Sequence, residues 1–285
     1  MKITAPVPLA LALLAACSAG KPEIENLGSD TMVEVAGAWA EAYGKIDDKV
    51  VISVAGGGSG TGIANLIAGD VDIANSSRAL KQKEIDDAKK HGQNPVQHHV
   101  GYDGIAIYVH KDNPIASLTL EQLKELFGTG GKLTKWSDLG IDLGDHARDP
   151  IVLASRQNNS GTYEYFREAV LGGETGRFKA ECNNLNGSKD VVDFCAKTRS
   201  AIGYSGLAYA TDKVRIVPIA KKAGDPAVMP NNDSVLDRSY PISRPLFMYT
   251  NGEPTGEIKK YLDWIVSDAG QRVLQQKGYP PLRKL

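Results

Sequence analysis

Cysteine is scarce: three occur in 285 residues, Cys17, Cys182 and Cys195. That is too few for a disulfide scaffold or a cysteine-built metal centre. There are five histidines, and none has a partner at metal-ligand spacing. His98 and His99 are adjacent in an extended stretch, so they point to opposite faces. Charge of one sign is also missing. Thirty-three Lys+Arg against 34 Asp+Glu give a net charge of −1, and a chain so balanced is not expected to bind nucleic acid. The apolar run from Val7 to Leu14 is too short to span a bilayer. The glycine-rich segment Gly56–Gly62 lacks the Gly-Lys-Ser/Thr ending of a P-loop. No Gly-x-Ser-x-Gly elbow is present, which removes the commonest serine-hydrolase signature. There is no internal repeat and no low-complexity block.

Hydrophobic residues make up 42% and charged residues 24%, an ordinary globular balance. The length suits one large or two medium domains. Glycine is frequent, at 30 residues, and much of it lies in three short loops. These read Gly28-Ser29-Asp30-Thr31, Gly56-Gly57-Gly58-Ser59-Gly60-Thr61-Gly62 and Arg156-Gln157-Asn158-Asn159-Ser160-Gly161-Thr162. Each stands at the start of an expected helix. A helix N-terminus offers free backbone N–H groups and a positive dipole end. Ser and Thr hydroxyls add donors, and glycine admits a close ligand. Three such loops converging on one point form a dry cage for a small tetrahedral oxyanion, phosphate above all.

The N-terminus reads as a targeting segment. Lys2 is a thin positive region, Val7–Leu14 an apolar one, and Leu14-Ala15-Ala16-Cys17 matches a bacterial lipobox. Residues 1–16 are then a lipoprotein signal peptide, Cys17 the lipidated first mature residue, and 17–22 a flexible tether. The alternative is a plain secretory signal cleaved after a small residue. In an exported chain Cys182 and Cys195 are expected to pair, closing a short loop worth about 3 kcal/mol. The alternative is two reduced buried thiols.

Short apolar strands alternate with amphipathic helices, an α/β pattern. Thr31-Met32-Val33-Glu34 fits a capping box, followed by Met32, Val35, Ala36, Trp39 and Tyr43 on one helical face. Strands are expected at 49–55, 71–74, 100–109, 151–154, 201–204 and 245–250. Thr119 and Gln122 cap a helix to Phe127, and a further helix spans Ser188 to Thr198. Residues 221–239 read as a surface loop, and the tail from Gly256 as helical until Gly278. Lys81–Lys90 looks like a solvated helix face. Trp39, Trp136 and Trp264 read as core.

Six segments, in this order, carry a resemblance: residues 28–43, 56–80, 118–140, 155–166, 201–210 and 268–282. With them the chain resembles the phosphate-binding lipoproteins of the bacterial Pst-type ABC importer, within the type II periplasmic-binding-protein superfamily. The resemblance implies an α/β two-lobe fold with two hinge-crossing strands and the anion held between the lobes. It places residues 23–100 plus 245–285 in lobe one and 101–244 in lobe two, hinge strands included. It also implies delivery of inorganic phosphate to ABC permease subunits, a membrane anchor through lipid, a monomer, no cofactor, no metal and no catalysis.

The family pattern of Arg, three residues, then Ser-Gly-Thr falls on Arg156, Ser160, Gly161 and Thr162. A guanidinium fork matches two phosphate oxygens and stays charged. The plainer alternative is a surface arginine before an ordinary Ser N-cap. Ser59 matches the family's second-loop serine, and Ser29 and Thr31 are candidates in the first loop, each of which could instead be only an N-cap. Asp30 is expected to cap or to point outward. Ser77 stands where one branch of the family carries an Asp that accepts the proton of bound phosphate. Arg78 follows it and adds positive charge. Two alternatives remain: a binding protein for sulfate, molybdate or another oxyanion, and a secreted phosphatase using the same loops.

Overall fold

The computed structural model describes residues 21–144 and 149–285. The expected signal peptide 1–16, the expected lipidation site Cys17 and all but the end of the expected 17–22 tether lie outside the described residues. Among the described residues, nine strands form one continuous sheet in the order β2 (Val51–Ala55), β1 (Glu23–Gly28), β3 (Ile73–Ser76), β11 (Ser243–Asn251), β4 (Pro95–His110), β8 (Ala201–Gly206), β6 (Val152–Arg156), β7 (Asn183–Leu185), with β9 (Val214–Val217) also paired to β4. Two strands hold it together: β4 (Pro95–His110) and β11 (Ser243–Asn251). They pair antiparallel from Ser243↔Gly104 to Asn251↔Pro95, with a register shift between Leu246 and Phe247.

Lobe one lies on one side of this pair. β1 (Glu23–Gly28), β2 (Val51–Ala55) and β3 (Ile73–Ser76) run parallel, and β3 pairs with β11. On one face pack α1 (Val33–Gly44) and the two tail helices α8 (Gly256–Val266) and α9 (Asp268–Gln276). Their core joins Met32, Val35 and Trp39 to Ile73, Met248, Tyr261 and Leu274. The tail thus folds back onto the N-terminal segment, with the Trp39 indole N–H donating to the Gly270 carbonyl at 2.7 Å. Ser267 breaks the tail into two helices by capping α9.

Lobe two lies on the other side. β6 (Val152–Arg156), β7 (Asn183–Leu185) and β8 (Ala201–Gly206) run parallel, and the second half of β4 pairs with β8 and with β9 (Val214–Val217). Strand alternation sends Leu153, Ile202 and Tyr204 to a core with α4 (Leu120–Phe127) and α5 (Gly161–Val170), and Ala154 and Ala201 to a second core under α6 (Ser188–Lys197). Thr119 and Gln122 form the expected capping box. β5 (Leu118–Thr119) and β10 (Ile219–Ala220) form a small separate ladder. The stretch read as a surface loop contains a short helix, α7 (Asn232–Leu236), capped by Asn231. No helix among the described residues is long and apolar enough to cross a membrane.

The cysteine pairing is corrected. Cys182 and Cys195 are both free and buried. Cys182 belongs to the core of Leu153 and Tyr204, Cys195 to the core of Ala154 and Ala201. The sheet of lobe two therefore stands between them. Burial pushes each thiol up to about 12, so neither is a reactive thiolate.

Candidate functional site

The parallel strands of the two lobes aim their C-terminal ends at one centre, where open α/β sheets place their ligands. β1 ends at Gly28, β2 at Ala55 and β3 at Ser76 in lobe one; β6 ends at Arg156 in lobe two. The loops that leave them carry the residues singled out from sequence. Two helices also begin here: α2 (Ser59–Ala68) and α5, at Ser59 and Gly161. Their positive dipole ends therefore share the centre.

Ser29, Thr31, Ser59, Ser77, Ser160 and Thr162 are all buried. Thr31 Oγ1 and Thr162 Oγ1 meet across the lobes at 2.9 Å. Ser59 Oγ accepts the Ser77 N–H at 3.1 Å and lies 3.4 Å from Ser77 Oγ. Gly161 comes so near that a Cβ there would sit 2.3 Å from Ser59 Oγ and 2.5 Å from Ser77 Oγ, so a side chain would push both hydroxyls out of place. The Ser29 N–H is tied to the Asn75 carbonyl at 2.9 Å, while its hydroxyl has no partner among the described residues. Ser160 is the N-cap of α5, accepting from Thr162 and Tyr163 N–H.

Arg156 is buried completely. Its Nε and Nη2 donate to the Asn186 carbonyl at 3.2 and 2.8 Å, Nη1 to Ser188 Oγ at 3.0 Å, and Nη2 to Asp30 Oδ2 at 2.8 Å. A guanidinium has five N–H groups, so these bonds fix its plane and leave one donor over. Burial lowers its pKa, and the Asp30 carboxylate opposes that shift. Asp30 therefore does not point outward. One oxygen takes Arg156 and the other takes the Gly57 N–H at 2.9 Å, so it braces the second and third loops.

A second buried arginine carries no local sequence signal. Arg244, at the start of β11, donates through Nε and Nη2 to Asp103 Oδ2 on β4 at 3.0 and 2.7 Å. Its Nη2 also reaches Thr31 Oγ1 at 3.1 Å and Thr162 Oγ1 at 3.0 Å, and Nη1 the Ser77 carbonyl at 3.2 Å. One side chain from β11 thus touches Thr31 of the first loop, Thr162 of the third and the Ser77 carbonyl after β3. Asp103 is wholly buried. Desolvation raises its pKa, while Arg244 and backbone N–H groups of Leu207 and Gly104 pull it down.

Two expectations change. Arg78 does not face the centre. Its guanidinium grips the Glu84 carboxylate with Nη1 at 2.8 Å and Nη2 at 2.6 Å, and Nη1 also bonds the Ala79 carbonyl. Glu84 sits in the first turn of α3 (Gln82–Lys90) and is anchored there by the Lys81 N–H, so a fixed carboxylate draws the arginine away. The capping box at Thr31 is not formed either. The N-cap of α1 is Met32, without a side-chain cap, because the Thr31 hydroxyl is engaged by Thr162 and Arg244. A surface cavity of about 540 Å³, lined by Leu133, Ile151, Phe178 and Lys179 among others, contains none of these residues.

The arrangement is a shell of hydroxyls, helix N-termini and two immobilised guanidinium groups, donors suited to an oxyanion. Comparison with known proteins agrees with that character. A family model described as "PBP superfamily domain" matches residues 15–269. The phosphate-binding protein PstS of Pseudomonas aeruginosa is 36% identical over 270 residues, covering 91% of this chain and 83% of the relative. A protein of the same name from Staphylococcus saprophyticus is 30% identical, covering 91% and 83%. Among solved structures, a substrate-binding protein ascribed to a phosphate ABC transporter of Clostridium perfringens, with bound phosphate, is 31% identical. It superposes with a TM-score of 0.80 over 92% of this chain and 100% of that one. With the two-lobed sheet, the facing loops and these relatives together, the chain belongs to the PBP superfamily, in the family of the PstS phosphate-binding proteins.

Proposed function

We propose that this protein captures inorganic phosphate between its lobes and hands it to an ABC permease. The observation that carries the reading is the convergence of Ser29, Thr31, Ser59, Ser77, Gly161 and Thr162 on the two buried guanidinium groups. Hydroxyls both donate and accept. They can therefore serve the P–OH of a protonated phosphate as well as its bare oxygens, without a carboxylate at position 77. The arginines arrive already paired, Arg156 with Asp30 and Arg244 with Asp103. Much of the pull on the anion therefore comes from fixed dipoles and the donors each guanidinium keeps over. Water exclusion makes every unmet donor costly, which is how such a site selects shape and protonation state.

The hinge reading places lobe one at residues 23–100 plus 245–285 and lobe two at 101–244, with β4 and β11 bending between open and closed forms. Lipidation of Cys17 tethers the protein outside the cytoplasm, beside its permease, and the chain works as a monomer. It performs no covalent chemistry. Calorimetric titration of ligand-stripped protein with phosphate tests the reading, with a chromogenic phosphate ester as the control for hydrolysis. One-to-one phosphate binding without turnover is the expected result; ester hydrolysis would replace the reading with a phosphatase.

A further inference from the structure

The glycine-rich run between β2 and α2 serves the opposite lobe as much as the centre. A Cβ on Gly58 would sit 2.7 Å from the Asn159 carbonyl oxygen, and one on Gly60 would sit 3.1 Å from it. Gly58 and Gly60 belong to lobe one and Asn159 to lobe two, so the absent side chains leave a notch that Asn159 enters. Once seated, Asn159 is bonded in three ways. Its main-chain carbonyl accepts the Gly60 N–H at 2.9 Å. Its amide donates to the Gly57 carbonyl at 2.9 Å and to Thr61 Oγ1 at 3.3 Å.

We infer that Asn159 is a positioning residue for capture: a latch that sets how long the lobes stay closed over phosphate. The inference rests on the phosphate reading above. Asn159 lies just before Ser160 and Gly161, the cap and first residue of α5. Its seating therefore fixes where Gly161 meets Ser59 and Ser77. Asn159 is exposed at the rim and touches none of the cage hydroxyls, so when the lobes part its polar groups pass to water without penalty. Its bonds must break before the anion leaves but need not exist when it arrives. Dissociation, not association, is the rate they govern.

The test compares Asn159→Ala, Gly60→Ala and the double variant with the unaltered protein. Gly60 lies in the first turn of α2 at an ordinary helical φ. Alanine there favours the helix and obstructs only the seating of Asn159. Phosphate release is followed by stopped-flow chase, association by mixing, and the ligand-free unfolding temperature by calorimetry. A spin-label pair, one label on each lobe, reads closure. Each single variant is expected to release phosphate about tenfold faster, the equivalent of losing ordinary neutral hydrogen bonds, with association changed by less than about twofold. The double variant is expected to release phosphate at least as fast as either single one, because Asn159→Ala removes the side-chain amide bonds to Gly57 and Thr61 while Gly60→Ala crowds the main-chain carbonyl of residue 159, and the ligand-free unfolding temperature is expected to hold. Release at the unaltered rate in both single variants overturns the latch while leaving phosphate binding intact. An unaltered protein that neither binds phosphate nor closes on it overturns the functional reading itself.

Discussion

Replacing Arg244 by alanine should damage both halves of the site's design. The side chain is completely buried and makes its closest contact with Asp103 at 2.7 Å, itself 1% exposed. Removing one member of a buried pair strands the other, at a cost of about 3–5 kcal/mol. For a domain of this size that corresponds to a fall of about 10 °C in unfolding temperature. The anion loses the donor that ties Thr31, Thr162 and Ser77 into one shell, so affinity should drop by about two orders of magnitude or more. The pH dependence carries a definite sign. Burial raises the folded-state pKa of Asp103 above its unfolded value. The stability linked to Asp103 is therefore present below the unfolded pKa and declines as pH rises through the raised folded pKa. Loss of the Arg244 charge moves that folded pKa further up, so Arg244→Ala should differ most from the unaltered protein near neutral pH and least in mild acid. The combined Asp103→Leu, Arg244→Met variant should recover the unfolding temperature, since no charge is left unpaired, yet still fail to bind phosphate. The assays are calorimetric melting across pH and phosphate titration. An Arg244→Ala protein that melts within about 2 °C of the unaltered one and binds phosphate with unchanged affinity would refute the assignment of Arg244 to the site.

Arg156→Ala should abolish measurable phosphate binding, because it removes a guanidinium held in plane by Asn186, Ser188 and Asp30; titration with affinity near that of the unaltered protein would show that the third loop does not supply the anion's cation. Arg78→Ala should leave phosphate affinity within about threefold while lowering stability by about 1–2 kcal/mol or more, as expected for a largely buried pair with Glu84 that braces α3; a large affinity loss would return Arg78 to the cage. In protein beginning at residue 21, a thiol reagent should label nothing in the folded state and both Cys182 and Cys195 after denaturation, and a reductant should not change the unfolding temperature. Label-free denatured protein would indicate that the two are paired.

The α/β architecture and the loops were legible in sequence because local chemistry specifies them. Strand-ending glycine and Ser/Thr at a helix start say the same thing in isolation as in the fold, and Thr119 with Gln122 forms the cap its spacing announces. Arg244 was illegible for the opposite reason. It stands at the start of an ordinary apolar strand, and its partner Asp103 is 141 residues away. Nothing nearby distinguishes it from a strand-edge arginine. Arg78 illustrates a related ambiguity: a cation beside an anion loop looks the same whichever way it turns, and Glu84 decides the matter in space. Thr31 satisfies a capping pattern, but tertiary partners claimed its hydroxyl. The cysteines were misjudged because proximity in sequence says nothing about which face of a sheet each occupies. Asp30 is hard to place from sequence because an acid near an anion site looks unfavourable until the arginine it restrains is known.

Titration calorimetry of the ligand-stripped chain from residue 21, first with phosphate and then with sulfate, bears most directly on the central claim. Tight one-to-one phosphate binding with weaker sulfate heat is the expected result for a site that captures phosphate. Sulfate bound as tightly as phosphate, or no heat with either, would contradict a phosphate-capture site built from these loops.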